Sequence, residues 1–63
     1  MKPPLITDTI FEQIMAIRKS GRANMLETNT VQWLASEEGF YELVILIEEN
    51  KQAYVNFIFS GER

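Results

Sequence analysis

The side chains able to do chemistry are few, and their spacing leaves them little to do. The 63 residues include neither Cys nor His, which removes thiolate and imidazole metal ligands, Cys and His nucleophiles, the imidazole general base and any disulfide. Ser20, Ser36 and Ser60 supply hydroxyls, but without His only a Lys could activate them. Carboxylates occur in adjacent pairs, Glu37-Glu38 and Glu48-Glu49. Neighbours on a helix point about 100° apart and cannot share one metal or one proton, so these pairs read as solvated faces. Gly21, Gly39 and Gly61 stand singly, so neither a dinucleotide-binding turn nor a P-loop is present to cradle phosphate. The expectation is a protein without catalytic residues, cofactor or metal.

What remains is binding. Ala35, Gly39 and Ile45, with Val31 and Leu34, have the spacing of a helix-turn-helix. The segment that would read DNA, Tyr41 to Glu49, offers no Lys, Arg, Gln or Asn before Asn50 to grip phosphate or base edges. Glu38 and Glu48 also fall where that motif needs apolar residues. Net charge is −3, from six basic and nine acidic residues, which argues against general affinity for nucleic acid. The one basic cluster, Arg18, Lys19 and Arg22, complements a helix C-terminus and could grip an acidic patch on a partner. Candidate partner-binding residues are Arg22, Asn24 and Met25 in a loop, and the amphipathic aromatics Trp33, Tyr41 and Tyr54. For Trp33 the core edge is the favoured placement over an exposed anchor.

The elements that must position these residues follow from periodicity. Pro3-Pro4 stiffens residues 1 to 6 into an extended N-terminal arm. Ile10, Phe11, Ile14, Met15 and Ile17 share one side of a helix over about residues 8 to 20. Thr7, with an Ile6 to Phe11 staple, competes with Thr9 and Glu12 as its cap, and Gly21 can end it in the left-handed conformation. Residues 22 to 28 form a loop, with Met25 and Leu26 tucked beneath it. Asn29 and Gln32 make a capping box for a second helix over about 30 to 38, with Val31, Leu34 and Ala35 as its apolar stripe. Residues 40 to 60 admit a β-hairpin, but helical spacing misplaces only Ile45, whereas alternation forces both Val44 and Leu46 outward. Phe40, Val44, Ile47, Tyr54 and Ile58 then share the buried face. Glu48-Glu49-Asn50-Lys51 either breaks this segment into two helices, about 40 to 49 and 51 to 59, or bends one.

The expected fold is all-α: a compact bundle of three to four short helices in a single domain spanning residues 1–63. Ile45, Leu46, Phe57 and Phe59 extend beyond the main stripe, so a second buried surface, most simply a homodimer interface, is expected. The longest apolar run, Leu43 to Ile47, is far short of the roughly 20 residues that span a bilayer. The start, Met1 to Asp8, lacks the form of a signal peptide, so no membrane association and a cytoplasmic location are expected.

A set of motifs adds a resemblance: Gly21-Arg22-Ala23-Asn24-Met25, Phe40-Tyr41-Glu42-Leu43-Val44, Ile47-Glu48-Glu49 and Tyr54-Val55-Asn56-Phe57-Ile58. Together, over about residues 9 to 62, these resemble a family of very small phage and prophage proteins of unassigned function. Asn50 and Ala53 depart from that pattern, where the family's segment is more charged. The resemblance carries over no catalytic or binding residue. It implies a mobile-element origin, and with it a non-enzymatic module that binds, and inhibits, a larger bacterial or phage protein such as a defence system. A helix-turn-helix regulator and a phage structural or assembly component are the alternatives.

Overall fold

The structure, a computed structural model, describes residues 5–61. Most of the expected arm, residues 1 to 4, lies outside the described residues. Leu5 and Ile6 form a bend, and Ile6 is buried in the core rather than extended into solvent.

Helix α1 runs Asp8–Ser20, the expected span. Of the two competing caps it uses Thr7, whose Oγ1 accepts from the Ile10 amide at 3.2 Å. Asp8 in the first turn and Arg18 and Lys19 in the last complement the helix dipole. Gly21, at φ 67°, ends the helix with its amide donating to the Arg18 carbonyl.

Helix α2 runs Thr28–Glu37, beginning before the expected position, with Glu27 as a cap that makes no side-chain bond. The Asn29 capping box is not formed. Gln32 is used elsewhere: its Nε2 donates to the Val44 carbonyl at 3.2 Å and to a Glu48 carboxylate oxygen at 3.0 Å, tying α2 to the next helix. Gly39, at φ 76°, turns the corner, and the Phe40 amide closes it on the Ala35 carbonyl at 2.8 Å.

Helix α3, Tyr41–Ser60, consists of two helical stretches joined across a kink. Asn50 leaves helical geometry at φ −150° and ψ 62°, where the charged Glu48 to Lys51 stretch suggested a break or a bend. Gly61 caps its end in the left-handed conformation. Among the described residues every regular element is a helix, so the hairpin alternative is not taken.

A single buried cluster joins the three helices: Ile6, Ile10, Ile14 and Ile17; Val31, Leu34 and Ala35; Leu43, Leu46, Ile47 and Tyr54. Each such side chain taken from water contributes about 1.5–3 kcal/mol. The stripes of α1 and α2 are those the sequence indicates. The α3 stripe differs in part: Leu43 and Leu46 also point inward and Val44 and Ile58 are only half-buried, while Ile45 is 55% exposed, on the polar side where helical spacing leaves it. The bend resets the helical phase at Asn50, so no single face runs from Phe40 to Ile58. Ile45 is also the residue that a helix-turn-helix would bury, and here it faces solvent. Of the four residues taken as surplus, Leu46 is buried and Phe57 half-buried, which leaves Ile45 and Phe59 outside. Trp33 is 57% exposed, not at a core edge. No helix of the described residues is long and apolar enough to cross a membrane.

Candidate functional site

A groove of about 680 Å³ lies where the outer edge of α1, the α1–α2 loop and the last turns of α3 meet. Helix α1 has more apolar residues than its core face needs. Ile10, Ile14 and Ile17 take the centre, and Phe11 and Met15, one turn apart on the flank, are half-buried and line the groove. The opposite wall is Phe57 and Ile58. Phe11 and Phe57 meet edge to face, with ring centroids 5.8 Å apart and planes at 83°, a favoured geometry for two aromatic quadrupoles. Met25 and Leu26 close the loop side.

The loop holds its shape through local bonds. The Asn24 side-chain oxygen accepts from the Leu26 amide at 2.9 Å, and its carbonyl accepts from the Glu27 amide at 2.9 Å, as in an Asx-turn. From below, the Tyr54 hydroxyl donates to the Met25 carbonyl at 2.6 Å. Burial pushes the Tyr54 hydroxyl up to about 12, so it stays a donor throughout the neutral range.

The lining includes two polar side chains, Arg18 and Asn24. Since Asn24 is engaged with its own loop, Arg18 is the directional group, an exposed guanidinium on the last turn of α1 beside Lys19. Two thioethers, two phenyl rings and one guanidinium cannot perform acid–base or nucleophilic chemistry, but they make an adaptable apolar seat with one anion-seeking corner. Among the described residues no three carboxylates converge where they could hold a metal ion.

The six sequence candidates do not form one site. Asn24 and Met25 line the groove. Arg22 turns away to a smaller depression of about 120 Å³, within 3.7 Å of Glu38, where both side chains are half exposed. Trp33 and Tyr41 are exposed and line neither depression. Tyr54 is fully buried, so it shapes the groove through Met25 and cannot itself meet a partner. Sequence reasoning missed Phe11, Met15, Arg18 and Phe57 as a group. The signal available was the width of the α1 stripe, whose Phe11–Met15 edge exceeds what one core face requires.

The described residues thus form a small three-helix fold with a mainly apolar groove between α1, the α1–α2 loop and the end of α3. The chain belongs to the family described as a domain of unknown function (DUF5049), which matches residues 6–62. No curated protein and no solved structure matches it.

Proposed function

We propose that this protein is a non-enzymatic, phage-derived binding module that seats an apolar segment of a larger bacterial protein, such as a defence component, in the α1–loop–α3 groove and thereby inhibits it in the bacterial cytoplasm. The observation that carries the reading is the composition of the groove: Phe11, Met15, Met25 and Phe57 around a single directional charge, Arg18. Flexible thioethers beside rigid rings suit a protein segment, and a carboxylate on that segment would meet Arg18. The phage origin and the inhibitory role rest on the motif resemblance, and they agree with side chains that supply no chemistry of their own. A DNA-binding reading is not adopted, because Ile45 is exposed and the outer face of α3 bears Glu42, Glu48 and Glu49.

The test is affinity capture of the tagged protein from its bacterial host, with nuclease and at two salt concentrations, comparing wild type with Leu26→Ser and Arg18→Glu. Both positions are exposed, so the fold should survive. Capture of one host protein in near-stoichiometric amount, lost with either variant, together with loss of that protein's activity when the wild type is added, supports the reading. Capture that the variants leave intact, or recovery of nuclease-sensitive material alone, overturns it.

A further inference from the structure

Apart from this groove, a further depression of about 350 Å³ lies between the start of α1 and the first half of α3, lined by Leu5, Ile10, Ile45, Leu46, Glu42 and Glu49 with Asn50 at its end. We infer that this depression is a second, independent docking surface, and that its occupant is a cationic amphipathic helix of a protein partner, with basic residues two turns apart bracketing an apolar one.

Two features carry the inference. The first is unpartnered apolar surface. Leu5 is 54% and Ile45 55% exposed, and both stand over a floor of Ile10 and Leu46. An isoleucine held out on a straight stretch of helix is a suitable anchor for another helix laid along it. The second is charge. Glu42 and Glu49 are two turns apart on the same side of α3, about 10.5 Å along the axis, with Ile45 between them. The Gln13 Nε2 donates to a Glu42 carboxylate oxygen at 2.9 Å, which fixes that anion at the rim. This bond, with Glu42's own backbone amide second, holds its carboxyl below the ordinary value. Among the described residues no Lys or Arg lines the depression. The spacing of anion, apolar residue and anion is therefore a template for cation, apolar residue and cation on an antiparallel helix.

The same charges argue against a second copy of this chain. A two-fold antiparallel pairing of α3 centred between Ile45 and Leu46 would set Glu42 of one copy against Glu49 of the other, with like charges at both ends of the contact. The surface is complementary to something basic and repels itself.

The test uses a labelled synthetic helical peptide of about 18 residues carrying Lys two turns apart with Leu between, and the same peptide with Glu in place of Lys. Binding to the full chain is followed by fluorescence anisotropy. The Lys peptide should bind saturably and more weakly as salt rises, and the Glu peptide should not bind. The paired change Glu42→Gln with Glu49→Gln, and separately Ile45→Ser, should each weaken binding about tenfold. Arg18→Glu should leave it unchanged, which separates this surface from the larger groove. Equal binding of the two peptides, or indifference to both sets of α3 changes, overturns the inference. So does a dimer of the protein alone that Ile45→Ser dissolves in sedimentation equilibrium, since the occupant would then be a second copy.

Discussion

The hydroxyl of Tyr54 donates to the backbone carbonyl of Met25 at 2.6 Å, joining the second half of α3 to the loop that forms one wall of the large groove. Tyr54 is wholly enclosed as a residue, so this bond reaches the loop backbone from inside the core. The loop needs such an anchor because only Met25 and Ala23 within it are half-buried, and Leu26 is 44% exposed. A polar tip on an otherwise apolar ring thus sets the groove's shape from inside the core.

Replacing Tyr54 with Phe keeps the ring and removes the bond. The Met25 carbonyl can turn to water, so the loss should be modest, about 1 kcal/mol in urea unfolding. Amide exchange should quicken at Leu26 and Glu27, whose loop the bond restrains, and stay unchanged in α2.

The same hydroxyl imposes an alkaline limit on stability. An unfolded tyrosine titrates near 10, and burial raises Tyr54 to about 12, so the fold favours the protonated form. Its contribution is fully present below about pH 10 and is lost as pH rises toward 12. Unfolding free energy measured from pH 9 to 12 should therefore fall more steeply in the wild type than in Tyr54→Phe, and parallel profiles would refute the assignment.

Gln13 supports α3 from a different helix. Its Oε1 accepts from the Leu43 amide at 3.1 Å while its Nε2 donates to Glu42. The α3 cap residue, Phe40, has no capping side chain, so Gln13 satisfies one of the open amides of the first turn. Gln13→Ala should cost about 1–2 kcal/mol by chemical denaturation and let the Glu42 titration, followed by NMR, move up toward the ordinary carboxylate value. An unchanged Glu42 would show that its own backbone amide is what matters.

How far these relationships could be read in advance depends on whether the signal was local. The limits of α1 follow from Thr7, Asp8, Arg18, Lys19 and Gly21, all acting within one or two turns, and the observed helix ends where they indicate. The capping box of α2 failed because Gln32 had a tertiary partner in α3, which no local pattern reveals. The α3 stripe failed for a related reason. A period extrapolated through Asn50 assumes an uninterrupted axis, and the kink there resets the phase of the second stretch. The groove was only half legible: Asn24 and Met25 are contiguous in sequence, but Phe11 and Phe57 meet only through the fold.

Trp33 offers a spectroscopic check of that last kind of misplacement. It is the chain's one tryptophan, and its indole is 57% exposed on α2. Its emission should lie near that of a solvated indole and be readily quenched by acrylamide. Trp33→Ala should alter stability by less than about 0.5 kcal/mol. A blue-shifted, protected tryptophan in the free protein would return it to the core edge where the sequence put it.

The groove itself separates stability from binding at two adjacent walls. Phe57 is half-buried and packs its ring against Phe11 at 5.8 Å, so Phe57→Ala removes both core contact and groove wall. It should cost about 1–3 kcal/mol as well as partner affinity. Leu26 is 44% exposed on the loop side of the groove, so Leu26→Ser should leave unfolding within about 0.5 kcal/mol of wild type, and the docking reading expects it to weaken binding. If the groove is only a packing seam, affinity should follow stability, with Phe57→Ala damaging and Leu26→Ser silent. If it is a docking seat, Leu26→Ser should lose binding with its stability intact. Parallel denaturation curves and titrations against the captured host protein distinguish the two, and binding unaffected by Leu26→Ser would move the contact surface away from the groove.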